Sequence, residues 1–294
     1  MIDIIVFSKD RPLQLYCTLE SILKFVKGYN RIYVLFNPST EDYLESYRKL
    51  NDLNKFKEVY FVNETEYGFA NTFKNLLDGL KGKYVMMEID DAVYCDDVDL
   101  AKHAQMFESL DCGRINFTAD YKIYNPAHYT EQGEYLIIDR AEILTLPQTN
   151  ETLCLHYPFN VSSTLHKLED VKELTAVNDI TNPFQLEWKG SDSPIFKKYK
   201  YNCLVKTDGP VVRQLHINNF LNRYEEYYTL EDLHNIFKNG FVFDLDFSIL
   251  KYSKQTTDWL KNEAHDNRFP IFPWDVNPAD YQKLLAKQKG YRND

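Results

Sequence analysis

The first hundred residues alternate between short apolar runs and amphipathic stretches. Ile2–Phe7 is almost continuously apolar, which suits a strand covered on both faces. Residues 12–27 follow with Leu13, Leu19, Ile22, Leu23 and Val26 at helical spacing, and Pro12 fits a first turn, where its missing N–H costs nothing. Arg31–Phe36 predicts a second strand, and residues 40–50 a helix opened by Ser39 or Thr40 as its cap. Val59–Val62, residues 69–80 and Lys83–Glu88 continue as strand, helix and strand. This alternation predicts a parallel, doubly wound sheet.

Beyond residue 95 the rhythm changes. Val98–Leu110 reads as helical, and Arg114–Phe117 and Glu134–Ile138 as short strands around a tyrosine-rich loop that includes Tyr121, Tyr124 and Tyr129. Leu153–Val161, Asn202–Lys206 and Val211–Leu215 read as strands, and 166–175 and 183–189 as helices, the second capped by Asn182 ahead of Pro183. From about residue 220 the pattern is mainly helical, over 229–239, 247–262 and 278–288. No clean linker interrupts the chain. The expected fold class is therefore α/β, a mostly parallel sheet with a mainly helical C-terminal appendage packed on it.

Composition narrows the classes. The 294 residues carry a formal charge of −10, which argues against a nucleic-acid partner, because such binders rely on Lys and Arg to neutralise phosphates. The five cysteines include no CxxC pair, so neither a zinc ribbon nor a dithiol redox site is encoded, and a reducing cytoplasmic setting is expected. The apolar start is short, broken by Asp3 and without a basic leader, unlike a signal peptide; no run reaches the ~20 apolar residues of a membrane span.

The chemistry gathers at two strand ends. Ligands of open parallel sheets bind beyond the carboxyl ends of the strands. Ser8-Lys9-Asp10-Arg11-Pro12 follows the first strand, and Glu88-Ile89-Asp90-Asp91 closes the fourth. Three carboxylates within four residues repel one another and call for a cation, and oxygen ligands favour Mg²⁺ or Mn²⁺ over zinc.

At these residues the chain resembles a known family. Phe7-Ser8-Lys9-Asp10-Arg11-Pro12 is similar to the first-strand motif of GT-A-fold glycosyltransferases of the family-2-like, bacterial surface-polysaccharide type. Gly68-Phe69-Ala70-Asn71-Thr72-Phe73-Lys74-Asn75 resembles that group's Gly-led third helix, and Lys81 to Asp91 its "apolar strand, Asp-x-Asp" segment. Fainter likenesses, at Asn182 to Glu187 and at Val211 to Asn218, extend the resemblance over residues 1–220. It implies a GT-A-like domain over 1–220, with a nucleotide-binding half at 1–95 and an acceptor half at 96–220, and an unassigned helical extension at 221–294. It also implies a nucleotide-sugar donor held by Phe7, Ser8, Lys9, Asp10, Arg11, Lys74 and Asp90. A divalent metal, Mn²⁺ or Mg²⁺, would sit on Asp91, with Glu88 as an alternative first member of the motif and His216 completing the shell. The acceptor would be a glycan or a lipid-linked oligosaccharide. The chain departs from the family pattern in carrying Asn37-Pro38-Ser39-Thr40, with no acid, directly after the second strand.

An inverting transferase needs a general base near the acceptor hydroxyl. Glu187 and Asp192 are the candidates, with Trp188 beside Glu187 offering a ring for a sugar to stack on. The aromatic density of 221–294 reads as a packed helical cap, an acceptor cleft or a homo-oligomer interface. The basic residues Lys283, Lys287, Lys289 and Arg292 offer a peripheral contact with anionic lipid at the inner face of a membrane. Two rival readings remain. A nucleotidyltransferase shares the sheet and carboxylates but needs a Gly-rich phosphate loop, and Ser8-Lys9-Asp10-Arg11 contains no glycine. A non-catalytic nucleotide- or sugar-binding module is the other.

Overall fold

A computed structural model describes residues 1–117, 129–143, 157–205, 212–214, 230–238, 242–245 and 271–274. The first half follows the sequence pattern closely. β1 (Ile2–Lys9) leads into α1 (Pro12–Phe25) and a short β2 (Val26–Lys27). Next come β3 (Arg31–Asn37), α2 (Glu41–Asp52), β4 (Val59–Asn63), α3 (Gly68–Gly79) and β5 (Tyr84–Ile89). β1 pairs parallel with β3 on one side and β5 on the other, and β3 pairs parallel with β4.

Because successive strand residues face opposite sides, the apolar run of β1 feeds two cores. Ile4 and Val6 pack with Val34, Met86 and the α1–α2 side chains Leu15, Tyr16 and Tyr47. Ile5 and Phe7 pack with Leu35, Val85 and Met87 beneath Phe69, Phe73 and Leu77 of α3. Both faces are covered by helices, which is why the strand lacks polar alternation.

Past β5 the chain builds β6 (Ala92–Tyr94), β7 (Val98–Asp99), α4 (Leu100–Ala104), α5 (Met106–Ser109) and β8 (Cys112–Asn116). The single helix expected over Val98–Leu110 is thus two short ones, divided at Gln105, where a 3-10-type bond runs from Gln105 N–H to the Lys102 carbonyl. β9 (Thr130–Gln132), β10 (Tyr135–Asp139), α6 (Arg140–Ile143), β11 (Thr164–Lys167), α7 (Leu168–Val177), α8 (Pro183–Asp192), α9 (Pro194–Lys197) and β12 (Tyr201–Val205) follow. The strand expected over Leu153–Val161 is not seen in 157–161; Pro158 there has no N–H to give a ladder.

Among the described residues the large sheet has nine strands in the order β4-β3-β1-β5-β11-β8-β12-β10-β9. Only β10 and β11 run against the rest. The reversed β11 is inserted beside β5, so its first residue, Thr164, lies level with Met87 near the carboxyl edge where β1 and β5 end.

β13 (Val212–Gln214) pairs with β6. α10 (Leu230–Lys238) packs Leu233 and Phe237 into the α1–α2 core. β14 (Val242–Leu245) and β15 (Ile271–Trp274) form a two-stranded antiparallel sheet, an addition to the mainly helical pattern expected there. The helices expected over 247–262 and 278–288 fall outside the described residues, as does most of the tyrosine-rich loop. Among the described residues no helix is long and apolar enough to cross a membrane.

Candidate functional site

The site is built where β1 and β5 end. Ser8 and Lys9 close β1, Asp10 turns the chain with a left-handed φ of 55°, and Arg11 precedes the Pro12 start of α1. Aspartate tolerates that conformation better than most residues. The Asp10 side chain accepts the Ser39 N–H at 2.7 Å, tying the turn to the approach of α2.

Tyr47 of α2 braces the same turn from below. Ser8 Oγ donates to Asp90 Oδ2 at 2.9 Å, which uses its single proton. The 2.7 Å bond between Ser8 Oγ and the Tyr47 hydroxyl is therefore donated by Tyr47. The Tyr47 oxygen in turn accepts Arg11 N–H at 3.2 Å. Burial, reinforced by the charge of Asp90, pushes the Tyr47 phenol well above its ordinary range, so it stays a neutral donor.

Asp90 also accepts Lys9 N–H at 3.3 Å, and Arg11 Nη1 bridges Asp90 Oδ1 at 3.2 Å and Asp91 Oδ2 at 3.3 Å. Burial raises the Asp90 carboxyl above the usual carboxylate range, opposed by Arg11 and reinforced by the charge of Asp91. Asp91 Oδ1 is buried and has no hydrogen-bond partner among the described residues. One guanidinium thus serves two carboxylates and leaves an acceptor unfilled. Buried polar atoms are paired in the great majority of cases, so an orphan invites a cation or a donor.

The face of α1 turned to this segment is polar. Arg11, Gln14, Thr18 and Ser21 recur at three- and four-residue intervals, which places them along one side of a helix. Thr18 Oγ1 donates to the Asp90 carbonyl at 2.8 Å, and Ser21 Oγ accepts Tyr94 N–H at 3.0 Å. Gln14 lies between Arg11 and Thr18, buried, with neither amide atom partnered among the described residues.

Glu88 does not join this group. Its Oε1 accepts Ile89 N–H at 2.9 Å and Ser163 N–H at 3.1 Å, and its Oε2 accepts the Tyr94 and Ser163 hydroxyls, each at 2.7 Å. Burial pushes its carboxyl up to about 7 against those four bonds. The expected three-carboxylate cluster is corrected accordingly. Glu88 is spent on the turn before β11, where Ser163 holds a left-handed φ of 44°. Among the described residues no group of three acidic, His or Cys side chains forms a metal-holding set.

The other expected site residues separate. Phe7 is buried against Phe69 and Phe73, at ring distances of 5.9 and 5.6 Å, so its side chain belongs to the core rather than to a donor pocket. Lys9 is exposed at the edge of the site, and Lys74 is exposed on α3. Glu187 is largely enclosed in α8, where burial raises it to about 7, offset by Arg114 and by a bond from the Val161 backbone. Asp192 is mostly exposed and paired with Lys197 at 3.3 Å. Trp188 is 60% exposed, as is its helical neighbour Phe184 at 67%. His216 lies outside the described residues.

Three residues were missed by sequence reasoning. Glu64, directly after β4, is buried and accepts a bond from Asn37 at the end of β3. Burial raises its carboxyl, and Asn37 and the nearby Lys9 oppose that. No acid directly follows β3, whereas Glu64 directly follows β4. Gln14 carried a signal, a polar residue on a buried helical stripe. Tyr47 carried none.

No family model matches the chain. It is similar to the bifunctional glycosyltransferase pgtA of Dictyostelium discoideum, 26% identical over 239 residues. That stretch is 70% of this chain and 30% of the relative, so the chain spans less than a third of the length of the curated protein it matches. Among solved structures, the mannosyltransferase PcManGT from Pyrobaculum calidifontis, in complex with GDP-Man and Mn2+, is 15% identical with a TM-score of 0.44, over 70% of this chain and 54% of that one. S. aureus TarS 1-349, in complex with UDP-GlcNAc, is 10% identical with a TM-score of 0.43, over 98% and 71%. A nucleotidyl transferase from Methanothermobacter is 13% identical with a TM-score of 0.38, over 71% and 88%.

Proposed function

We propose that the chain is a glycosyltransferase that moves a sugar from a nucleotide-sugar donor to a hydroxyl of a glycan acceptor. The observation that carries this reading is the strand-end arrangement of Arg11, Asp90 and Asp91, with Asp91 Oδ1 buried and unfilled. The sequence likeness to a glycosyltransferase supports it.

The family resemblance implies a divalent cation, and the residues fit one. Magnesium-type ions take one or two carboxylates and leave the rest of their shell to water and substrate phosphate. A single unfilled Asp91 oxygen at the site matches that demand better than a closed protein cage. When bound, the ion would neutralise charge on the donor diphosphate. The chain's own groups do the rest. Arg11 and Lys9 set positive charge where the leaving diphosphate gains negative charge. Glu187, raised to about 7, takes the proton from the acceptor hydroxyl. The acceptor oxygen bonds to the anomeric carbon as the bond from that carbon to the diphosphate breaks, and the sugar inverts. Trp188 and Phe184 offer exposed rings for the acceptor glycan.

A thermal-shift screen of UDP and GDP with and without Mn²⁺ tests this reading, because a ligand that binds only the folded state raises its melting temperature. One nucleotide should raise it by several degrees, more with Mn²⁺ than without. No shift with either, at millimolar concentration, would overturn the reading.

A further inference from the structure

The donor turn is tied to α2 at two points, one just ahead of the helix and one at its middle. Asp10 holds the N–H of Ser39, just before α2, and Tyr47 holds Ser8 and the Arg11 N–H. The stretch of α2 between those points is gripped from outside by α10, the helix expected over 229–239, whose role the sequence left unassigned. His234 Nε2 bonds Ser46 Oγ at 2.9 Å, and its ring stacks on Tyr43 with centroids 4.0 Å apart and planes 20° from parallel. Lys238 pairs with Asp42 at 2.7 Å. Leu233 and Phe237 seat the helix in the α1–α2 core. Asp42, Tyr43 and Ser46 all lie within the five residues ahead of Tyr47. Tyr47 itself is pinned against Phe36 by a 4.4 Å ring stack.

We propose that α10 is a strap that positions the donor side of the site, with His234 as a positioning residue that holds α2, and through Tyr47 the Ser8–Arg11 turn, in the nucleotide-binding arrangement. This rests on the reading of that turn as the donor site. The contacts form an unbroken chain, from His234 to Ser46 and Tyr43, along α2 to Tyr47, and on to Ser8, Asp90 and Arg11. A helix that served packing alone would need Leu233 and Phe237. It would not need a bonded, stacked histidine and an ion pair at the start of α2.

The test uses the full chain and two readouts. The first is the affinity for UDP or GDP with Mn²⁺, whichever gives the larger thermal shift. His234→Ala and Tyr47→Phe should each weaken it by about 3- to 10-fold, and the double variant should be no more than about 2-fold weaker than the worse single one, because the two act in series. His234→Phe, which keeps the ring stack, should recover part of the loss. Val171→Ala, in the core on the other face of the sheet, serves as a control of comparable destabilisation and should leave affinity unchanged. The second readout needs no ligand. Hydrogen exchange at the amides of Lys9, Arg11 and Ser39 should quicken in His234→Ala and not in Val171→Ala. Unchanged exchange, or multiplicative loss of affinity in the double variant, would overturn the strap. If the wild type binds neither nucleotide, the donor reading fails, and the exchange result alone decides the strap.

Discussion

Glu88 and Asp91 stand three residues apart at the end of one strand, and both are buried. Their surroundings differ in a way that burial does not capture. Glu88 accepts four bonds and ties β5 to the turn before β11. Asp91 shares one guanidinium with Asp90 and keeps an oxygen with no partner among the described residues. A satisfied buried carboxylate holds structure together. An unsatisfied one stores a demand that a ligand can meet. On the proposed function, Glu88 serves stability and Asp91 serves binding, and swapped effects would contradict that division.

The largest expected effect is on turnover. Asp91→Asn keeps the shape but removes the charge, and sugar transfer should fall by about 100- to 1,000-fold, the usual loss when one stabilising group is removed from a reacting centre. The melting temperature should stay near that of the wild type, and the added stabilisation by Mn²⁺ should vanish. Full activity would sink the assignment. Glu88→Ala should do the opposite. It leaves the Tyr94 hydroxyl and both Ser163 donors without their acceptor, at about 2–4 kcal/mol in a denaturant melt. Nucleotide affinity of the folded fraction should change by less than about 2-fold. A variant as stable as the wild type would show that the four bonds matter less than their number suggests.

The sequence was most legible where structure is contiguous. Ile2–Phe7 reads as a doubly covered strand because both faces are apolar, and Ser8–Arg11 and Asp90–Asp91 read as a site because each sits at a strand end. The bonding of Glu88 was not legible, because it depends on β11, which is inserted antiparallel beside β5, with Ser163 75 residues away. No local pattern announces that pairing. Tyr47 meets Ser8 across 39 residues, and His234 meets Ser46 across 188. Such partners become visible only once the chain has folded. The break at Gln105 and the lost strand near Pro158 were local events with weak local signals. Pro158 was the clearer of the two.

Gln14 shares the unsatisfied character of Asp91 among the described residues, without its charge. Gln14→Leu is nearly isosteric and removes two unpartnered polar atoms from a buried position. In the absence of ligand it should stabilise the protein by about 1–2 kcal/mol, read from the denaturant midpoint. The same variant should gain less from nucleotide and Mn²⁺ than the wild type does. Destabilisation without ligand would mean that the amide is already satisfied by water, and Gln14 would then belong with Glu88.

An effect of similar size, and the one most specific in sign, concerns Glu187, which is neither fully bonded like Glu88 nor orphaned like Asp91 among the described residues. Burial raises its carboxyl from an ordinary value of 4.5 to about 7. Between those two values the folded protein keeps a proton that the unfolded chain has released. The stability this provides is complete below about pH 4.5 and is lost as pH rises through about 7. Glu187→Gln is neutral throughout and cannot lose it. Comparing denaturant melts at pH 5 and pH 8, the variant should gain about 1–2 kcal/mol on the wild type at the higher pH, a discounted share of the roughly 1.4 kcal/mol expected per pKa unit. Asp90, Glu88 and the oppositely shifted His166 titrate in both proteins, so the difference between the two isolates Glu187. Parallel pH curves would show that Arg114 and the Val161 N–H already hold the carboxylate ionised. A base that is ionised at all working pH values would move the acid limb of the pH–rate profile down from about 7 toward its ordinary 4.5.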